Sequence, residues 1–585
     1  MKKNRVAICA ALAVGIGAVN LVQANVLRDD GASTISSTGS GAPGGIGRQT
    51  LLPGGIGHQL IIPYYNVQAG NATLINLVNT DSTNGKAVKV RFRGASNSDD
   101  VYDFQVYMSP GDVWSANISR GANGLATLTT NDRSCTIPQV VSGSFVTARL
   151  NPRLTGDALA AETREGYVEI FNMADIPPFG INLAGAGPAA VGGQGTGPGA
   201  APFGAPLATA NALFTTTKHV GGVAPCFNTT AGAAALNALQ NDPADIGAAY
   251  ALGFRAPSAS LYANWTIINV PKSGASSGEA IALAVTTVVG GANTFGNLVF
   301  FPQTGAPAAT PDNFTADPLL RTTTVGINGV QNGANAPYAG GTVPIVVASN
   351  FDLPDLSTPY FAVSTPSVAN FPRQQAELLT KQLATLNVIN EYITDTAIGA
   401  FTDWVFSMPT RRYSVALDYR AVAPAPFTMA YTRLSGRDYF TAANTSLNNN
   451  QICVATGGLT YYDREETTLV GNNFVISPNP PAAGFRLCGE VSVLTFNAPG
   501  GQSVLGAEIA RTDFLTGTIR DGWANVATPG VFTGNGLFPA DFGVVGVAGG
   551  HGLPIIGRAF TRAGNGTVSA NFGAAWEHRY VRPIQ

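Results

Sequence analysis

The chain has 585 residues with 33 basic and 35 acidic side chains, and this net charge of −2 argues against nucleic-acid binding, which favours a basic excess. Charged residues make up 12% of the chain, about half the ~25% typical of soluble domains. A chain of this length buries a large core and exceeds one ordinary domain. Its low charge favours a surface that packs densely against neighbouring molecules.

The first 24 residues are expected to be a secretory signal. Lys2, Lys3 and Arg5 form a basic start. Val6–Leu21 is apolar, and Val22–Ala24 fits a cleavage site. The apolar stretch is short and interrupted by glycines, which disfavours a membrane anchor. We therefore predict an exported protein whose mature chain begins at residue 25.

Strand patterns follow a Gly/Ser-rich segment at 25–58, which we predict to be an extended N-terminal arm. In Val88–Arg93 apolar and basic residues alternate, and in Asp103–Met108 and Trp114–Ile118 every second residue is apolar. A period of two predicts antiparallel strands with one face in a core and one in water.

The spacing of these strand patterns predicts a mainly β fold with two antiparallel β-sandwich-like domains, long Gly/Pro-rich loops and one amphipathic helix between them. The first domain is placed at 59–330, with a low-complexity loop at 181–206. The second domain is placed at 401–585, after a linker region at 331–400.

The linker region contains the predicted helix, over 372–394. Leu379, Leu383, Leu386 and Ile389 recur at spacings of three and four, which is typical of one buried helix face. A rival architecture is an outer-membrane β-barrel, whose strands of about ten residues alternate regularly. The strand patterns here are shorter and interrupted by Pro-rich loops, so two sandwiches are favoured.

Four cysteines follow the predicted signal: Cys135, Cys226, Cys453 and Cys488. An even number in an exported chain predicts two disulfides, for which three pairings exist. Sequence order favours one bridge within each half, Cys135–Cys226 and Cys453–Cys488.

Three acidic residues near a predicted hairpin, Asp99, Asp100 and Asp103, are candidate calcium ligands. Oxygen-rich loops of exported proteins bind calcium at millimolar affinity. The alternative, which we favour, is that these carboxylates pair with the basic face of the 88–93 strand.

No catalytic residue is assigned from the sequence. Ser276 lies in a GASSG segment that matches the spacing of a nucleophile elbow, but the elbow needs a strand before it and a helix after it. Glu465 and Glu466 are adjacent, and neighbours in a strand point to opposite faces. None of the four histidines, His58, His219, His551 and His578, has a second ligand at metal-binding spacing.

Several segments resemble a group of bacterial exported proteins described as cell-surface or surface-layer-like. The matching segments are Ile61–Tyr65, Asn76–Asp81, Val90–Arg93, Ser109–Trp114, Thr402–Val405, Met408–Thr410 and Trp576–Tyr580. The resemblance implies a Gram-negative envelope and a structural role at the cell surface, and it brings no catalytic motif with it.

We therefore predict a structural cell-surface protein and not an enzyme, acting as a self-associating surface-layer or coat subunit. The expected partners are other copies of the chain and outer-membrane glycan, without nucleic acid. No cofactor is expected besides the calcium considered above. The alternatives are an exported carbohydrate-binding or adhesion module, an outer-membrane β-barrel and a secreted hydrolase.

Overall fold

The computed structural model describes residues 25–27, 48–52, 55–181, 206–286, 298–303, 324–332, 379–417, 426–428, 440–475, 486–528 and 552–582, with short gaps inside several of these ranges. The predicted signal, most of the arm, the low-complexity loop and most of the linker region lie outside them.

The N-terminal half consists mostly of strands. They are β1 (Asn25–Leu27), β2 (Arg48–Leu52), β3 (Gln59–Asn66), β4 (Asn71–Asn79), β5 (Gly85–Gly94), β6 (Asp100–Met108), β7 (Val113–Arg120), β8 (Ala126–Thr129), β9 (Cys135–Ile137), β10 (Gly143–Ser144), β11 (Glu165–Ile176), β12 (Phe179–Ile181), β13 (Pro206–Ala210), β14 (Leu261–Asn269), β15 (Gly274–Glu279), β16 (Ile281–Thr286), β17 (Leu298–Phe300), β18 (Thr324–Val325) and β19 (Gln331–Asn332). Its short helices are α1 (Gly156–Ala161), α2 (Ala212–Thr217), α3 (Pro225–Asn228), α4 (Thr230–Asn237) and α5 (Ile246–Ala251).

The C-terminal half is also built from strands. They are β20 (Ala384–Thr385), β21 (Asn387–Ile393), β22 (Phe401–Ser407), β23 (Val415–Leu417), β24 (Pro426–Thr428), β25 (Thr445–Asn448), β26 (Gln451–Ala455), β27 (Gly458–Asp463), β28 (Thr468–Val470), β29 (Phe474–Val475), β30 (Arg486–Cys488), β31 (Val491–Asn497), β32 (Arg511–Leu515), β33 (Asp521–Ala527), β34 (Leu553–Pro554), β35 (Ile556–Asn565), β36 (Ala570–Glu577) and β37 (Arg579–Val581). Two 3-10 turns, Thr396–Ile398 and Arg411–Tyr413, lie between them.

Each half contains two stacked sheets. In the N-terminal half, the central sheet has the order β2-β16-β3-β11-β5-β6-β9 and the outer sheet the order β10-β8-β7-β4-β14-β15. In the C-terminal half, the inner sheet has the order β29-β32-β31-β22-β35-β36 and the distal sheet the order β28-β27-β33-β21-β37. Strand pairs are antiparallel apart from the parallel β31–β32 pair. The predicted mainly β, sandwich-like fold is confirmed.

Aromatic side chains from facing sheets fill both sandwiches. In the N-terminal half, Phe104 of the central sheet lies 5.3 Å from Trp114 of the outer sheet, measured between ring centroids. In the C-terminal half, Tyr392 of the distal sheet stacks on Phe496 of the inner sheet at 4.8 Å. These residues occupy the alternating apolar positions of their strands, so period two places them inside.

The two halves share one continuous core. Phe560 of β35 packs against Tyr64 of the central sheet and Trp265 of the outer sheet, with centroids 6.3 and 5.7 Å apart. Val405 and Val493 of the inner sheet belong to the same apolar cluster. The inner sheet is therefore covered on one face by the distal sheet and on the other by the N-terminal half.

The central sheet is likewise buried on both faces, since β5, β6 and β11 are buried at every position. One face packs on the outer sheet, and helices α2, α4 and α5 cover part of the other. The prediction that 88–93 and 103–108 expose one face to water is therefore wrong, because a third layer covers it. The same prediction is confirmed for β7, whose alternate residues are exposed or half-exposed.

The helix predicted over 372–394 is wrong in its C-terminal part. Residues 379–383 are helical, whereas Asn387–Ile393 forms strand β21, which lies between β33 and β37 in the distal sheet. Val388 and Tyr392 are buried while their neighbours are more exposed, so a period of two competes with the helical spacing there. Residues 372–378 lie outside the described part of the chain.

Both predicted cysteine pairs lie at bonding distance, Cys135 with Cys226 and Cys453 with Cys488. The first bridge closes 91 residues of sequence and ties β9 to α3. The second joins residues that face each other on β26 and β30.

Two buried histidines are held neutral. His578 Nε2 donates to the carbonyl oxygen of Val405 at 3.0 Å, and its Nδ1 accepts from Asn390 Nδ2 at 3.0 Å. Burial lowers the pKa of His578 to about 3 and the pKa of His58 to about 4. Both imidazoles therefore remain uncharged at neutral pH, and His578 fastens the C-terminal strands to β21 and β22.

Acid should destabilise the fold through these histidines. In the unfolded chain each histidine has a pKa of ~6.5. In the folded chain the pKa is about 4 for His58 and about 3 for His578. The free energy of unfolding therefore contains the full contribution of both histidines above pH ~6.5. It falls by about 3–5 kcal/mol for each histidine as the pH drops to the pKa of the folded state.

We expect His578→Gln, which cannot titrate, to flatten the fall in melting temperature between about pH 6.5 and 4.5. Val526→Ala is the matched control, because it opens the same core without changing a titrating group. Parallel pH curves for wild type and His578→Gln would contradict this account.

Candidate interaction surface

Charged side chains line the buried second face of the central sheet, and we call them the central ionic cluster. Its members, none more than 4% exposed, are Lys89, Arg91, Arg93, Asp100, Asp103, Glu169, Arg411, Arg412 and Glu490. Lys89 Nζ lies 2.9 Å from Asp103 Oδ1, and Arg91 Nη2 lies 3.2 Å from Asp100 Oδ2. The charged side chains of β5 and β6 thus neutralise each other across this strand pair.

This pairing places the candidate calcium ligands. Asp100 and Asp103 each face a cation, and Asp99 is buried beside them. Among the described residues, no group of three or more His, Cys, Asp or Glu side chains is arranged to hold a metal ion. Asp100 and Asp103 thus pair with the basic strand face, as in the alternative interpretation.

The central ionic cluster also joins the two halves of the chain. Glu169 of β11 lies 3.2 Å from Arg93 Nε in the N-terminal half and 2.8 Å from Arg412 Nη2 in the C-terminal half. Arg411 Nη2 lies 2.6 Å from Glu490 Oε2. These C-terminal residues were missed at the sequence level, because nothing in a turn at 411–413 indicates which strand it meets.

Glu169 and Lys89 keep their charges at neutral pH, whereas burial raises the pKa of Asp103 and the pKa of Glu490. Burial raises the pKa of the Glu169 carboxyl, but Arg412, Arg93 and Arg91 outweigh burial and hold that pKa at about 2. Burial lowers the pKa of the Lys89 ammonium to about 8. A chain with few charges therefore places several of them inside, which leaves fewer for its surface.

The residues considered for catalysis are placed without a catalytic arrangement among the described residues. Ser276 lies within β15 and pairs with Ile267 of β14, so the GASSG segment is a hairpin strand rather than a strand–turn–helix elbow. Glu465 is exposed after β27, and Glu466 lies outside the described residues.

One surface groove brings serine, histidine and aspartate together. The groove has a volume of about 640 Å³ and is lined by segments 109–112, 131–133 and 218–223. His219 Nδ1 lies 2.9 Å from Ser109 Oγ and 3.3 Å from Asp112 Oδ2. In a catalytic triad the serine and the carboxylate occupy opposite imidazole nitrogens. Here they share one nitrogen, so the set braces neighbouring loops.

The solvent face of the outer sheet is broad and nearly without charge, and we call it the ladder face. It is formed by Ala72, Leu74, Asn76, Val78, Val113, Ser115, Asn117, Tyr262, Asn264, Thr266, Ile268, Ala275, Ser277 and Glu279. Strand register brings these residues side by side, because even-numbered positions of β4 face outward beside the outward positions of β7 and β14.

A hydrogen-bonded row crosses the ladder face. Ser115 Oγ donates to Asn76 Oδ1 at 2.7 Å, and Asn76 Nδ2 donates to Asn264 Oδ1 at 2.8 Å. On the next row the hydroxyls of Thr266 and Ser277 lie 2.8 Å apart. Many polar side chains of this face therefore have their hydrogen-bond partners within the face.

An apolar row lies beside the polar one. Val113, Val78 and Tyr262 are adjacent on three strands, and Val113 is 47% exposed. Among the residues that form the ladder face, Glu279 alone is charged. Protein interfaces are depleted in charged residues at their centres. At ~4.8 Å per strand and ~3.3 Å per residue, the face covers on the order of 500 Å².

The described residues include no helix with the length and apolar character needed to cross a membrane. No family model matches the chain, and neither a curated protein nor a solved structure was found to be similar to it. The resemblance to surface-layer-like proteins therefore stays a prediction.

Sequence reasoning found the strands of the ladder face but not the face itself. The available signal was a set of strands whose outward positions hold Asn, Ser, Thr or apolar residues and, apart from Glu279, no charged residue, as in 71–79, 261–269 and 274–279. Recognising the face required knowing that these three strands are neighbours.

Removing the Glu169 carboxylate should destabilise the fold strongly. Glu169→Gln keeps the side-chain size but leaves Arg93 and Arg412 without their shared counter-charge, and breaking such a buried pair costs about 3–5 kcal/mol. The loss is measured as a fall in the midpoint of denaturant unfolding. Arg520→Gln is the control, because its pair with Asp395 spans 3.6 Å at the surface and contributes at most ~1 kcal/mol. Equal stability of the two variants would contradict the argument.

Proposed function

We propose that this protein is a structural subunit of a cell-surface layer or coat in a Gram-negative envelope, and that it assembles by self-association. The observation that carries the proposal is the ladder face, a broad sheet surface with one charged residue. The proposed contact is between ladder faces of neighbouring copies.

The chemistry of the ladder face suits repeated self-contact. Two copies meet there with little like-charge repulsion, since Glu279 is the one charge on each face. Asn76, Ser115 and Asn264 already hydrogen-bond one another, so their burial leaves fewer unpaired polar groups. Short Ser and Thr side chains also lose little rotamer freedom on burial.

The size of the face supports a weak contact that is repeated many times. Its estimated area, on the order of 500 Å², is below the ~800 Å² per partner of a standard stable interface. A contact between identical faces joins copies in pairs, so a layer needs a second contact on each copy, and the lattice compensates for weak single contacts through their number. Two disulfide pairs support export to an oxidising compartment.

Adding positive charge to the ladder face should prevent assembly. Ser115 on β7 and Ser277 on β15 are exposed at opposite edges of the ladder face, so Ser115→Lys/Ser277→Lys places like charges across the contact without disturbing the core. We expect wild-type protein to sediment as oligomers and the variant as monomer, with at least a tenfold rise in the dissociation constant. Thr215→Lys, on the exposed side of α2, is the matched control and should assemble like wild type.

Electron microscopy of cells and of purified protein completes the test, with calcium present and absent. Wild-type protein that stays monomeric in both conditions, with no ordered array on cells, would overturn the proposal. Assembly of Ser115→Lys/Ser277→Lys at wild-type strength would exclude the ladder face as the contact.

A further inference from the structure

We infer that the solvent face of the distal sheet binds a neutral glycan through a stacked tyrosine–tryptophan pair. We call this surface the distal face; it comprises Asn387, Ile389, Glu391, Thr460, Tyr462, Asp521, Trp523, Asn525 and Arg579. The inference goes beyond the proposed assembly role and concerns a different sheet.

The aromatic pair lies near the centre of the distal face. Tyr462 and Trp523 are direct partners on β27 and β33, with ring centroids 4.1 Å apart and planes inclined by 10°. Trp523 is 40% exposed. Tyr462 covers one face of the Trp523 indole. The exposed area of the indole is therefore its edge and the face toward Glu391 on β21. A large, rigid aromatic surface of this kind accepts the C–H face of a sugar ring.

Polar groups suited to sugar hydroxyls surround the indole. Glu391 is the direct partner of Trp523 on β21, and Asn525 lies two residues further along the same face of β33. Arg579 follows on β37, opposite Ile389. A carboxylate accepts hydrogen bonds, a guanidinium donates them and an amide does both. Asn525 is half-buried, and its Oδ1 is shielded from solvent and makes no hydrogen bond within the described residues, so a ligand would reach that oxygen only after a change of its rotamer.

The charge balance of the distal face favours a neutral ligand. Arg464 Nη2 lies 2.8 Å from Asp521 Oδ2 at one edge, and Glu391 and Arg579 are of opposite sign. An acidic polysaccharide would meet as many carboxylates as cations. A stretch of neutral hexoses instead pairs its hydroxyls with both kinds of group and stacks on Trp523.

A purely structural role for the pair is the competing explanation, because cross-strand aromatic pairs stabilise sheets. A structural pair would change the melting temperature on substitution and would leave glycan binding unaffected. The experiment must therefore measure ligand binding and stability separately.

The test uses the full chain carrying Ser115→Lys/Ser277→Lys, so that failure of the assembly proposal does not affect the result. An array of neutral and acidic oligosaccharides is screened first, and the best neutral hit is titrated by calorimetry. We expect neutral oligosaccharides to bind, Trp523→Ala to lose at least tenfold in affinity, and Trp523→Phe to retain part of it. Trp576→Ala is the matched control, because Trp576 is 59% exposed on β36, in the other sheet.

Fluorescence provides a second readout. Trp114, Trp265 and Trp404 are at most 1% exposed, so in a Trp576→Phe background Trp523 supplies the solvent-exposed indole signal from the described residues, and the neutral hit should shift its emission. If Trp523→Ala does not fold, Glu391→Gln should weaken binding severalfold at unchanged melting temperature. No neutral hit, a preference for acidic oligosaccharides, or equal affinity of wild type and Trp523→Ala would overturn the inference.

Discussion

Charge pairing inside the molecule allows the central sheet to be buried on both faces. Three cations of β5 meet Asp100, Asp103 and Glu169 from the two neighbouring strands. An unpaired charge in such an interior costs several kcal/mol, so the third layer of the fold depends on this match. Arg412 reaches the same Glu169 from the C-terminal half, which makes the cluster the electrostatic joint between the sandwiches.

The distribution of charge separates the surfaces of the molecule by chemistry. The ladder face is almost uncharged and internally hydrogen-bonded, whereas the distal face combines a stacked aromatic pair with balanced charges. The composition of the ladder face suits contact with an identical surface, and the composition of the distal face suits a hydroxyl-rich ligand. Both faces lie on outward sheets, so one molecule has room for a lateral contact and a ligand at the same time.

Local pattern was sufficient where a strand has one covered face. The alternation of Trp114, Ala116 and Ile118 predicted β7 correctly, because the outer sheet has water on its other side. The same alternation at Lys89 and Arg91 was misread, since the layer that covers these residues is remote in sequence.

The error at 387–393 has a related cause. Leu379, Leu383 and Ile389 fit a helical stripe, but Val388 and Tyr392 fit a strand, and the distal sheet supplies partners on both sides. The ladder face and the Tyr462–Trp523 pair could not be predicted, because both depend on the lateral order of strands that are not consecutive in the chain.

The link between Glu169 and Arg412 spans 243 residues and affects how the chain matures. A chain made from its N-terminus therefore completes β5, β6 and β11 well before Arg411, Arg412 and Glu490 are present. During that interval the second face presents Lys89, Arg91, Arg93 and Glu169 beside the apolar Phe171 and Met173. The charged residues that are paired in the finished molecule thus reduce the apolar area that the unfinished molecule exposes.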